Sequence, residues 1–178
     1  LRYLSWIPHS FIFETQLIPH LLQSLFPSPQ FQAVTAQCMT EIVSLRDLDP
    51  AQREQHQRVF LQAHTLLLAG LAPTLPPDIA PERLQDLDPD QERLIQVIGI
   101  YFVEFLKGHL DLMESRPENH DALLRSLSYV IVIAHTPDDE IFKICLEFLH
   151  SLASRLYKTE CVPEGERGIS GAAGAPLL

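Results

Sequence analysis

Residues 140–158, EIFKICLEFLHSLASRLYK, carry a helical period, and the helix they predict is apolar around too much of its circumference to stand alone. At about 100° per residue, Ile141, Phe142, Ile144, Cys145, Leu146, Phe148, Leu149, Leu152, Ala153, Leu156 and Tyr157 fill an arc of roughly 220° that only Arg155 interrupts. The remaining sector gathers Lys143, Glu147, His150, Ser151, Ser154 and Lys158. A helix of this kind needs neighbours on both flanks, which places it inside a stack of helices. Only its thin polar stripe is left for water or a partner.

Helix starts are marked repeatedly in the rest of the chain. Ser28-Pro29, Asp49-Pro50, Asp88-Pro89 and Thr136-Pro137 each put a small polar residue before a proline at the head of an apolar periodic segment. The first residue can cap orphan amides, and proline in the first turn loses no hydrogen bond. Reading from these marks gives helices at 16–26, with Thr15 as cap, and at 29–45, with Phe31, Val34, Cys38, Ile42 and Leu45 on one face. Further helices are expected at 50–71, 91–114, 119–134 and 137–158. The run YVIVIA at 129–134 is β-branched, but it continues the phase of Leu123, Leu124 and Leu127 and is read as helix.

The segment 72–89, APTLPPDIAPERLQDLDP, holds five prolines and is a long inter-helix loop. Three antiparallel pairs result, at 16–45, 50–114 and 119–158. The fold class expected is therefore all-α, an α-solenoid of about three helical repeats over 1–158. Leu1, Tyr3, Leu4 and Ile7 open in mid-pattern and read as the end of a preceding helix at 1–8, so the chain is read as part of something longer. Residues 159–178, rich in Gly and Ala, read as a linker or disordered tail.

Charge and chemistry narrow the function. A formal net charge of -10 on 178 residues argues against direct binding of nucleic acid, which needs clustered Lys and Arg, and favours a basic protein partner. No apolar run reaches the roughly 18 residues that crossing a bilayer takes, so no membrane insertion is expected. Cys38 and Cys145 fall on apolar faces and read as buried free thiols, while Cys161 lies in a loop. The eight histidines make no paired-ligand spacing; His109 and Asp111 are two apart and diverge on a helix. With no nucleophile elbow and no phosphate loop, neither an enzyme nor a cofactor site is expected. Phe102, Phe105, Phe142 and Phe148, at helical spacing, are assigned to the core.

Several segments carry a more specific signal. LSWIP at 4–8, FIFETQLI at 11–18, VTAQCMTEI at 34–42, FLKGHLDLMES at 105–115, EIFKICLEF at 140–148 and LASRLY at 152–157 resemble, in this order, the exportin-1 family of importin-β-like karyopherins, the receptors for leucine-rich nuclear export signals. The match falls in the N-terminal half of that larger protein. It implies a superhelix of HEAT repeats that binds cargo together with Ran in its GTP form, meets nucleoporins, shuttles between nucleus and cytoplasm, and hydrolyses nothing itself. Residues 52–71 and 72–92 match poorly. The family's cargo groove with its reactive cysteine, and its long acidic loop, belong to later parts of the family's chain, and none of Cys38, Cys145 or Cys161 corresponds to that cysteine.

If the second helix of each pair faces the partner side, the stripe Lys143, Glu147, His150, Ser154 and Lys158 turns toward Ran; a merely solvated stripe is the competing reading. A generic α-solenoid interaction scaffold, no longer active in transport, is the alternative function. A chain of this kind is expected to be helical and prone to association through the apolar faces of its terminal repeats.

Overall fold

The computed structural model describes residues 7–45 and 50–160. Its elements are α1 (His9–Phe13), α2 (Leu17–His20) running on into a π-helical turn (Leu21–Leu25), α3 (Pro29–Val43), α4 (Arg53–Leu71), α5 (Pro89–Glu114), α6 (His120–Ile133) and α7 (Asp139–Glu160). Short 3-10 turns at Pro50–Gln52, Pro81–Leu84 and Pro117–Asn119 lead into or bridge between helices. The chain is an all-α solenoid, with no strand among the described residues. YVIVIA is helical in α6 up to Ile133.

Local chemistry accounts for several boundaries. Asp88 makes a full capping box at α5: its carboxylate accepts from the amides of Asp90 (3.0 Å) and Gln91 (2.9 Å), while the Gln91 side chain accepts from the Asp88 amide at 3.4 Å. Thr15 accepts from the Leu17 amide (3.2 Å) and donates to the Phe11 carbonyl. Ser28 precedes Pro29 as expected but makes no side-chain cap, and Asp49 lies outside the described residues.

Thr136 is not the cap of α7. Its hydroxyl donates back to the Ile133 carbonyl (2.9 Å), closing α6, and Asp138 caps α7 by accepting from the amides of Glu140 (2.8 Å) and Ile141 (3.0 Å). Two further differences concern the ends. An additional short helix, α1, stands directly after Pro8, and α7 extends to Glu160, past the expected boundary at 158. Of the expected helix end at 1–8, residues 1–6 lie outside the described residues, as does the tail from 161 onward.

The helices lie in two layers. The first helices of the pairs, α2 with its π turn, α4 and α6, form one layer; the second helices, α3, α5 and α7, form the other. Neighbours within the second layer run parallel. The first turns of α3 and α5 line one cavity, Gln96 of α5 donates to Asp138 at the start of α7 (2.7 Å), and Arg155 late in α7 pairs with Asp111 and Glu114 late in α5. Partners across layers run antiparallel, with Phe60 beside His109 and His64 on Phe105 between α4 and α5. Helix α5 sits at the centre. Gly99 lets it approach α6 and α7, since a Cβ there would stand 3.0 Å from Ile133 and 3.3 Å from Ile141.

Large rings fill the space between α4 and α5. Phe13 meets Phe60 edge-on (5.3 Å), Phe60 meets His109 (4.7 Å), His109 meets Phe105 (4.9 Å), and Phe105 stacks flat on His64 at 3.8 Å. Beyond them Phe102 stacks on Tyr129, whose hydroxyl donates to the Leu75 carbonyl at 2.7 Å. His64 is fully buried and bonded at both nitrogens, to the Tyr101 hydroxyl through Nδ1 (3.1 Å) and to Ser126 Oγ through Nε2 (2.7 Å).

The Ser126 hydroxyl already donates to the Ala122 carbonyl, so it must accept from His64 Nε2–H. Tyr101 O–H then donates to Nδ1. The network assigns the neutral Nε2–H tautomer, with every donor and acceptor satisfied.

Two expectations about packing are corrected. On α3 the buried face is Gln32, Thr35, Ala36, Met39, Ile42 and Val43, while Phe31 and Val34 are exposed and Cys38 is half-buried. The helix has two apolar faces, and α5 packs on the one whose small residues allow close approach. On α7, Ile141, Cys145 and Phe148 are buried, but Phe142, Leu146, Leu156 and Tyr157 are exposed. The apolar arc is thus half used, and Leu124 and Ile131 of α6 extend the exposed surface on the last pair.

Both ends of the described stack therefore carry apolar faces. A protein of these residues is expected to self-associate at micromolar concentration, and Leu146→Asp with Tyr157→Asp to shift it toward monomer in sedimentation. A monomer at all concentrations counts against these faces being sticky.

Candidate interaction surface on the second-helix layer

The five residues of the predicted stripe all lie on α7. Lys143, Glu147, His150 and Lys158 are exposed and Ser154 is half-buried. None of them is tied by a hydrogen bond or ion pair to another described residue. Their periodicity of three and four puts them on one helix face because α7 is unbroken from Asp139 to Glu160.

The stripe does not end at α7. Glu147 lines a groove of about 380 Å³ between α5 and α7, together with Lys107, Asp111, Ser151 and Arg155. Across the groove α5 presents Glu104 and Lys107, paired at 3.4 Å. The surface is therefore built from two adjacent second helices and carries charges of both signs.

Arg155 has a role that periodicity alone did not indicate. It interrupts the apolar arc because its guanidinium reaches back to α5, where it pairs with Asp111 (2.8 Å) and forms a close ion pair with Glu114. The two carboxylates are three apart on one helix face, a spacing that suits one shared cation. With the Gln96–Asp138 bond at the opposite end, α7 is fastened to α5 at both ends of their contact. Side chains at the Arg155 site are more than a third exposed, so the pair sets register more than it adds stability.

Burial pushes the Cys145 thiol up to about 11 and raises that of Cys38, so both thiols stay protonated near neutral pH. Cys161 lies outside the described residues. No group of three or more His, Cys, Asp or Glu among the described residues is placed to hold a metal ion. No helix among them is long and apolar enough to cross a membrane.

Comparison with known proteins relates the helical pairs to one family of repeats. The sequence model of the "Chromosome region maintenance or exportin repeat" matches residues 121–157, which covers α6 from its second residue and nearly all of α7. Protein EXPORTIN 1B of Arabidopsis thaliana is 34% identical over 158 residues, covering 88% of this chain and 14% of that protein. Protein EXPORTIN 1A of the same plant is 35% identical over 156 residues, 87% of this chain and 14% of the relative. Exportin-1 of Schizosaccharomyces pombe is 32% identical over 160 residues, 89% of this chain and again 14% of the relative. The chain thus spans about one seventh of the length of the relatives it matches.

Proposed function

Because this chain belongs to the exportin-1 family of helical-repeat proteins, a family of nuclear export receptors, we propose that it forms an arc of a receptor that carries proteins bearing leucine-rich export signals out of the nucleus in dependence on Ran-GTP. The observation that supports this most is the reach of the similarity, which runs through all three helical pairs in order. In this reading the arc 1–158 is scaffold: its buried faces cement repeat to repeat, and partners meet only what the second-helix layer exposes. Ran and cargo would each favour one arrangement of the stack, and that shared preference would couple their binding. Localisation would follow the cycle, in the nucleus with cargo loaded and in the cytoplasm after release.

The test is a segment exchange. Fission-yeast Exportin-1 carrying this chain in place of its aligned segment is expected to clear a leucine-rich-signal reporter from the nucleus. A stably expressed exchange protein that leaves the reporter nuclear overturns the transport reading and leaves a scaffold.

The stripe Lys143, Glu147, His150, Ser154 and Lys158 is proposed to face Ran. In the same exchange protein, Lys143→Glu with Lys158→Glu is expected to weaken binding of GTP-loaded Ran about tenfold, since each reversal replaces an attraction by a repulsion of about 1 kcal/mol or less. Unchanged affinity makes the stripe a solvated surface.

A further inference from the structure

The edge of the stack where the second helices begin holds a chain of cavities that neither the family reading nor the polar stripe uses. The central one, about 420 Å³, lies between the loop 72–88 and the start of α5. It shares Thr74, Gln91 and Leu94 with a cavity at the start of α3, and Leu84, Leu87 and Ile95 with one at the start of α7. The three adjoin through these shared walls and line up as a trough of neighbouring cavities along the edge of the three pairs. With helix axes about 8–10 Å apart the trough is about 20 Å long, which accommodates roughly six extended residues at about 3.4 Å each.

Its floor is apolar and its rim acidic. Leu75, Leu84, Leu94 and Ile95 are buried beneath it, and Ile79 and Leu87 line it while half-buried. Glu82, Asp86, Asp88, Asp90, Glu92 and Asp138 line the three cavities, against Arg83 and Arg93. Asp88 and Asp138 occupy the amides at the starts of α5 and α7, so those two positive helix ends are already answered, and the carboxylates of the rim repel an anion. Glu82, Asp86, Asp90 and Glu92 are exposed carboxylates, none ion-paired with a described residue.

The trough is also preformed. Gln32 of α3 donates to Thr74 (3.3 Å), Tyr129 of α6 donates to the Leu75 carbonyl (2.7 Å), and Gln85 donates to the His135 carbonyl (2.7 Å). Bonds to α3, to α6 and to the turn after α6, with four prolines between 73 and 81, hold the loop, so little ordering remains to oppose a ligand.

We infer that this trough binds an extended peptide segment of a partner protein in which apolar residues alternate with Lys or Arg. The apolar side chains enter the cavities, and the cations lie against the rim. The chemistry selects against an acidic apolar peptide, which the rim repels.

The experiment uses fluorescence anisotropy on the full chain with a labelled twelve-residue peptide alternating Arg and Leu. This peptide is expected to bind, one alternating Glu and Leu is expected not to, and one alternating Arg and Ser is expected to bind at least tenfold more weakly. Glu82→Lys with Asp86→Lys is expected to weaken the Arg/Leu peptide at least tenfold. Glu41→Lys with Glu118→Lys, which changes the net charge equally away from the trough, is expected to change it less than threefold. Both pairs are exposed, and equal thermal melts confirm intact folding. No binding of the Arg/Leu peptide, equal loss in the two double variants, or equal binding of the Arg/Ser peptide overturns the proposal.

Discussion

Replacing Phe105 by Ala is expected to lower the stability of the protein by about 3–5 kcal/mol, while Phe142→Ala changes it by less than about 1 kcal/mol. The two phenylalanines look alike in the sequence, both at helical spacing on apolar faces. In the structure Phe105 is fully buried and lies flat on the His64 ring at 3.8 Å with the His109 ring 4.9 Å away, whereas Phe142 is 43% exposed. Removing Phe105 takes away apolar burial, opens a cavity between α4 and α5, and releases the ring that holds His64 in place. For a chain of this size the melting temperature is expected to fall by roughly 10 °C or more. Thermal and urea unfolding of the two variants check this, and equal effects would show that α7 buries its whole apolar arc.

Acid is expected to destabilise the protein through His64. Burial, with a smaller contribution from the charge of His109, pushes its pKa from 6.5 down to about 3. The folded state thus keeps the imidazole neutral where the unfolded chain protonates it. Stability is full above about pH 6.5 and is lost progressively as the pH falls toward 3, with about 2 kcal/mol gone at pH 5.

Structure gives the same sign. Protonated Nδ1 would have no acceptor but the Tyr101 hydroxyl, whose own hydrogen would then lack a partner among the rings packed around it. His64→Gln can keep the polarity of the network, its carbonyl accepting from Tyr101 and its amide donating to Ser126, without the titration. Urea midpoints measured from pH 7.5 to 4.5 are expected to fall less steeply in His64→Gln than in the parent. Parallel curves would place the acid sensitivity elsewhere.

These expectations rest on different depths of information. The all-α pairing was legible because punctuation and period agree: Asp88-Pro89-Asp90-Gln91 is a helix start by local chemistry alone, and the structure forms it as a capping box. Thr136 misled because a hydroxyl before a proline can serve the helix behind it as well as the one ahead, and Asp138 was the better acceptor for α7. On α3 the periodicity supported two faces, and Phe31, Val34 and Cys38 looked the more apolar. Yet α5 chose the face with Thr35 and Ala36, and buried Gln32 with a partner in Thr74. No local rule ranks two apolar faces; the neighbour does.

The candidate stripe on α7 was legible in the same sense, as a set of positions on one face. The groove beside it was not, because Lys107 and Asp111 come from a helix some forty residues earlier. Arg155 left a trace in the sequence as the single break in the arc, but its meaning depended on Asp111 and Glu114 standing opposite. The His64 network left less still. A histidine on an apolar face becomes informative only when Tyr101 and Ser126, 37 and 62 residues away, converge on its two nitrogens.

By itself, then, the sequence determined what repeats: the helical period, breaks at Pro and capping Asp, and an apolar surplus on α7 that requires stacking, since these follow from residues within a few turns of each other. Tertiary structure decided what is shared between helices: which apolar face is buried, which buried polar groups complete one another, and where acidic rim and apolar floor meet in a trough. Those outcomes depend on the distance and angle between α-helices far apart in the chain, and packing of whole faces, not the preference of any single residue, fixes that geometry.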